Sequence, residues 1–317
     1  MNKRRIIIDC DPGHDDIMAI FSALAHKEEI EILGYTTVCG NQILDKVTRN
    51  LCSILSMIKE EGVVAKGYIE PIFVEKDPQP AAHGETGLDG PVLLEPTIQP
   101  IEQHAIEFIR ECVEKYDDVT LVALAPLTNI AMFLKTYPHL KHRIKEITLM
   151  GGSIYSGNIL PRSEFNLYAD PHAAHIVFNS GLPITMAPIE ICSETGIYHH
   201  EIDHLIHGGT VSRLAHDILQ FFSQYNRKRN RNQSPIFDLV PIMELLHPEL
   251  FESVHCKVDI VADGEFTRGM SVVQMETEGN VKVLLHGNRD QMIQYFLEDL
   301  KTLDERYQGD NGLKNHC

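Results

Sequence analysis

The chain has 317 residues, 43% hydrophobic and 23% charged, with a formal net charge of −17. That length and balance allow one large or two modest globular domains around a sizeable core. So acidic a chain is a poor partner for a phosphate backbone, which excludes nucleic acid as the expected ligand, and no apolar stretch is long enough to cross a bilayer.

Apolar runs alternate with helical patterns through the first 190 residues. Strands are expected at 5–9, 31–38, 119–125, 144–150 and 183–188, and helices near 15–27, 44–60, 101–115, 127–136 and 171–179. This alternation predicts βαβ units and a mostly parallel central sheet flanked by helices, an α/β fold. Residues 76–100 form the longest irregular stretch, rich in Pro and Gly, and such loops in compact domains tend to be functional or disordered. Beyond residue 190 helices dominate to 247. Two strand-like runs follow near 255–287, joined by Gly-containing turns, and then a last helix over 290–304 and a polar tail. Nothing reads as a linker or a repeat, so residues 1–317 are expected to form a single domain with a C-terminal helical and β elaboration. The basic run Arg227–Arg231 reads first as a solvated helix end, with a mobile flap beside a ligand as the alternative.

The densest chemistry lies at residues 6–16, Ile-Ile-Ile-Asp-Cys-Asp-Pro-Gly-His-Asp-Asp. An apolar strand is broken by Pro12-Gly13, and a helical pattern begins at once. Asp9, Asp11, Asp15 and Asp16 therefore converge at the carboxyl end of a strand, where open α/β sheets bind ligands. Asp15 and Asp16 could merely favour the positive end of a helix, but Asp9 and Asp11 precede the turn. Like charges packed so closely call for protons or a cation. An oxygen-rich, sulfur-free set suits a hard cation, Ca²⁺ or Mg²⁺. The His172/His175 and His199/His200/His204/His207 groups lack the further ligands of a zinc site.

The Asp-rich turn resembles the signature of the inosine–uridine-preferring nucleoside hydrolases. The resemblance runs in order along nearly the whole chain: Gly40-Asn41, His83-Gly84-Glu85-Thr86-Gly87-Leu88-Asp89-Gly90, Ala125-Pro126-Leu127-Thr128-Asn129, Leu149-Met150-Gly151-Gly152, Gly157-Asn158, Glu164-Phe165-Asn166 and Ala169-Asp170-Pro171. It implies a Rossmann-like fold, Ca²⁺ as cofactor, and cleavage of the N-glycosidic bond of a small-molecule ribonucleoside to ribose and free base. Carried over by motif, Asp11, Asp16, Asp238 and the carbonyl of Leu124 would hold the metal. Asp11 would be the general base on the attacking water. Asp15, Asn41, Asn158, Glu164 and Asn166 would hold ribose hydroxyls, with Met150 beneath the ring. The resemblance also implies a homodimer or homotetramer.

The chain departs from that pattern at Phe237, where many members of the family carry a His that protonates the leaving base. Phenylalanine cannot donate a proton, so Phe237 is expected to stack on the base. His83 could serve there as an acid or an orienting group, or simply structure its loop, and Tyr225 and Arg229 could face the base or sit on a solvated helix. There is no Trp in the chain, so indole stacking of the kind seen in purine-specific members is absent. Two other functions share the Asp-x-Asp turn or the sugar-binding residues. One is a haloacid-dehalogenase-like phosphohydrolase, although Gly13 stands where that family has Thr or Val. The other is a non-catalytic nucleoside or ribose binder. Seven scattered cysteines, an odd number without a Cys-x-x-Cys pair, point to a reduced intracellular protein. The N-terminus has no signal-peptide pattern, and the cytoplasm is the expected compartment.

Overall fold

In the computed structural model, residues 3–308 are described, apart from the side chains of residues 225 and 308. The polar tail and Cys317 lie outside them. The Ile6-Ile7-Ile8 run forms β1 (Arg4–Cys10). Its side chains alternate between two cores, as a strand's period of two requires: Ile6 and Ile8 join one cluster and Ile7 the other. Around it lie β2 (Ile30–Thr37), β3 (Val64–Lys66), β4 (Val119–Ala123), β5 (Ile144–Met150) and β6 (Ile184–Ala187). A two-stranded ribbon, β7 (Ile197–Tyr198) with β8 (Gln233–Ser234), stands apart. The sheet resumes with β9 (Phe251–Val261), β10 (Met270–Gln274) and β11 (Val281–Gly287).

The nine-stranded order is β10-β9-β11-β6-β5-β4-β1-β2-β3. From β3 to β11 every pairing is parallel, and at the far edge only β9 is reversed, pairing antiparallel with both β11 and β10. The chain moves one way from β1 to β2 and β3, then returns to place β4 on the other side of β1. The carboxyl ends of β1 and β4 are thus a topological switch point, where a crevice opens. One face of the sheet is covered by the helices His14–Ala25, Thr210–Arg227, Leu239–Leu246 and Arg289–Gln308. The other is covered by Ala105–Lys115, Thr128–Thr136 and Pro171–Phe178.

The expected α/β architecture is present, with two additions. Strand β3 is only three residues long, too short to show a period. Strand β10 sits between the two expected C-terminal strands, in the stretch read as their connection. It pairs only with β9, so its polar flanks are edge-strand chemistry. No described helix is long and apolar enough to cross a membrane. Cys10, Cys39, Cys52, Cys112, Cys192 and Cys256 are free and buried.

Candidate active site

Pro12 cannot continue a strand, and Gly13 precedes the helix His14–Ala25 as its N-cap. The turn between them is held by carboxylates. Asp16 accepts hydrogen bonds from the Gly13 amide at 2.9 Å and the Asp11 amide at 3.2 Å. Asp11 in turn accepts from the Asn41 amide at 2.6 Å, and the Asn41 side chain lies 3.3 Å from Asp11 Oδ1. The fit leaves no room: a Cβ on Gly40 would fall 1.9 Å from Asp11 Oδ2.

Asp238, just before the helix Leu239–Leu246, comes to the same place from the far end of the chain. Asp15, Asp16 and Asp238 are buried, and each offers one oxygen within 4.8 Å of the others. Carboxylates this close and this buried repel one another unless protons or a cation intervene. Burial is the main cause that pushes Asp15 up to about 7 and Asp16 to about 6, and it also raises Asp11 and Asp238 well above the ordinary carboxylate range. Asp15 Oδ1 is buried without a hydrogen-bond partner. A divalent cation would neutralise the clustered carboxylates and satisfy that oxygen, so an all-oxygen set of this kind fits a hard cation. The Leu124 carbonyl, at the end of β4, accepts from Asn166 Nδ2 at 3.1 Å and keeps a second lone pair.

Above the acids lies a cavity of about 460 Å³, in the size range of small-molecule sites. All seven residues expected to hold substrate line it: Asp15, Asn41, Met150, Asn158, Glu164, Asn166 and Phe237. His83, Leu124 and Asp238 line it too, while Asp11 and Asp16 are fully buried beneath. Glu164 caps the helix Phe165–Ala169, accepting from the Asn166 amide at 2.8 Å and from the Gly152 amide at 3.0 Å. Burial nevertheless brings it to about 7. Asn166 Nδ2 also reaches the Met150 carbonyl at 3.1 Å.

Asp9 does not join the cavity. It accepts from Thr36 at 2.5 Å and Asn129 at 2.7 Å, and burial lifts it to about 7. Thr128 and Asp170, 2.7 Å apart, are likewise scaffold: Asp170 also caps the helix Pro171–Phe178 and ties down the Ile72 amide.

Beside the cavity, two histidines form a chain that the sequence did not reveal. His14 Nε2 donates to the Asp89 carbonyl at 2.8 Å, so in the neutral ring its Nδ1 is an acceptor. His83 Nδ1, 3.2 Å away, must then be the donor, which leaves Nε2 of His83 with the lone pair. Both rings are held neutral: burial depresses His14 to about 4 and His83 to about 3. Phe221 and Phe222 stack on His14 with centroids 5.2 and 5.5 Å away.

Phe222 and Asn226, on the amphipathic helix Thr210–Arg227, also line the cavity, as do Ile189 and Ser193. Their apolar or small side chains read as ordinary core or helix surface in sequence. Arg229 and Arg231 line it as well, so the basic run is not simply a solvated helix end.

Residues 6–294 match the family described as inosine-uridine preferring nucleoside hydrolase. The pyrimidine-specific ribonucleoside hydrolase RihA of Photobacterium profundum is 40% identical over 307 residues, covering 94% of this chain and 99% of the relative. A plant nucleoside hydrolase, PpNRh1, superposes with a TM-score of 0.88 at 26% identity, over 95% of this chain and 99% of the other. A purine-preferring ribonucleoside hydrolase from Gardnerella vaginalis also gives 0.88, at 25% identity, over 95% of this chain and 99% of the other. The phosphohydrolase alternative falls away with these matches. The chain belongs to the inosine–uridine-preferring nucleoside hydrolase family, and it is an N-glycosidase that hydrolyses nucleosides to ribose and free base.

Proposed function

We propose that this enzyme hydrolyses pyrimidine ribonucleosides with the help of one Ca²⁺ ion. The observation that carries the proposal is the buried meeting of Asp15, Asp16 and Asp238 beneath the cavity. Asp11, Asp16, Asp238 and the Leu124 carbonyl would hold the ion, and Asp15, whose unpartnered oxygen lies in the same cluster, would join them from the sugar-facing side. When bound, such a cation orients a water and lowers its pKa.

The protein's own groups divide the remaining work. Asp11 accepts the proton of the attacking water, the role its place beside the acid cluster supports. Asp15, Asn41, Asn158, Glu164 and Asn166 grip the ribose hydroxyls and fix the anomeric carbon, which gains oxocarbenium character as the bond to the base breaks. Met150 faces the ring from beneath. Phe237 stacks on the base. His83 faces the leaving group: its Nε2 lone pair accepts an N–H of the base in the ground state, and the ring becomes an acid only after taking up a second proton.

The pyrimidine preference rests on relatives 36–40% identical that carry that specificity in their names, and on a rim without indole. Assay of base release from uridine, cytidine, inosine and adenosine tests it. A kcat/KM for uridine or cytidine at least tenfold above both purine nucleosides is expected; equal or higher values for the purines would refute the preference.

The continuous nine-stranded sheet supports a one-domain reading of residues 1–317. The free buried cysteines support a cytoplasmic setting. The family resemblance implies a homodimer or homotetramer, which sedimentation at several concentrations would distinguish from a monomer.

A further inference from the structure

After β5 the chain crosses to the helix at Phe165 through residues 151–164, and Ser156, Gly157, Asn158 and Ile159 of this crossing line the cavity. The crossing is mostly irregular, so no regular ladder supplies partners for its amides. Glu190 does so. Its Oε1 accepts from the amides of Tyr155 at 2.8 Å and Ser156 at 2.9 Å. The Ile154 amide lies 3.0 Å from both carboxylate oxygens, and the Ser156 hydroxyl 3.4 Å from Oε1. Three successive N–H groups converging on one oxyanion make a nest, and hydrogen bonds to an ionised acceptor are the strong kind.

The other end of this link is rigid. Glu190 lies in the first turn of the helix Ile189–Glu194, which follows β6 directly. The Ile189 amide donates to the Gly152 carbonyl at 3.0 Å, and the Gly151 amide to the Ala187 carbonyl at 3.1 Å. Beyond the nest, Asn158 Oδ1 accepts from the Phe165 amide at 2.9 Å, so both ends of the cavity-lining stretch are fixed.

We infer that Glu190 is a positioning residue: it ties the 154–159 loop to the end of β6 and so presents Asn158 to the sugar. This rests on the assignment of Asn158 to ribose made above. Glu190 does not touch the substrate itself. Glu190→Gln keeps the size of the side chain but removes the charge: with the amide oxygen in the place of Oε1, all three bonds lose their ionised acceptor, and the NH₂ group in the place of Oε2 faces the Ile154 amide, itself a donor.

The test compares wild type with Glu190→Gln by hydrogen exchange, ribose calorimetry and steady-state kinetics. Exchange at the amides of 154–156, taken relative to the amides of β4, is expected to quicken about tenfold, from loss of well-made acceptors. The ribose dissociation constant and the KM for the nucleoside rise together by about tenfold. The kcat stays within about threefold and the Ca²⁺ affinity is unchanged. A general loss of fold would quicken exchange in β4 as well and leave the ratio where it was, which would overturn the inference. So would quickened loop exchange with unaltered ribose affinity. A wild-type enzyme inactive on every nucleoside would refute the functional reading instead, and the exchange and ribose measurements decide the role of Glu190 without turnover.

Discussion

The floor and the rim of the cavity are built on different principles. The floor is polar, fully buried and over-determined: Asp11 and Asp16 take their hydrogen bonds from backbone amides and Asn41, and residues 222 positions apart, Asp16 and Asp238, meet at one point. The rim is made of side chains with everyday uses, such as Phe222, Asn226, Ile189 and the exposed Arg229 and Arg231. The floor can carry the chemistry common to all nucleosides, because ribose is common to them. In the proposed mode of binding the rim meets the part that varies, the base. Substitutions in the floor should therefore abolish turnover of every substrate, and those in the rim should change the ranking of substrates.

The largest effect expected from breaking the floor is that of Asp11→Ala. Loss of a general base costs about 10²–10⁴ in rate, so single-turnover base release should fall about 10³-fold, equally for uridine and inosine. At the border of floor and rim, His83→Ala should cut kcat by about tenfold to a hundredfold, more for bases that leave poorly. Phe237→His, which adds a titratable group beside the base, should raise kcat by up to about tenfold, visible first with those same poor leaving groups. Farther out, Arg231→Ala should alter KM by no more than about threefold, as exposed charges usually do. A uniform thousandfold loss from the last of these would erase the distinction.

The floor also has a pH signature. Asp15 titrates near 7 in the fold, against an ordinary 3.8, and Glu164 and Asp9 also titrate near 7. The folded state thus binds more protons than the unfolded chain, and the stability these groups contribute is full below about pH 4 and lost as pH rises through 7. His14 and His83 act in the opposite sense: depressed in the fold, they lower stability only as pH falls below 6.5 toward 4 and 3. Between pH 6.5 and 8 only the carboxyl groups count. In chelator, the melting temperature should fall across that window, and excess Ca²⁺ should flatten the curve. A flat curve in chelator would mean that the acids are not poised as described.

Much of the floor was legible in sequence, because its demands are local. A strand must stop, a helix must start, and four acids must lie at that junction, so residues 6–16 carry most of the information. The ordered motifs identified Asn41, Asn158, Glu164 and Asn166, all of which line the cavity. Some motif residues proved to be scaffold: Asn129 and Asp170 bind Asp9, Thr128 and backbone amides rather than the cavity. The rim was not legible, since a Phe on an amphipathic helix looks the same whether it packs on core or on a nucleobase. The His14–His83 contact spans 69 residues and leaves no periodic trace. Strand β10 was hidden for the opposite reason, being short, polar at its flanks and paired on one side only.

The central claim is that Asp16 and Asp238, from the two distant segments, hold one divalent cation on which hydrolysis depends. Calcium calorimetry on metal-stripped wild type and Asp238→Ala, with base release measured on the same samples, tests it most directly. The account predicts one site per chain in the wild type, restoration of base release as that site fills, and loss of both in the variant. Full base release from protein freed of all metal would contradict it.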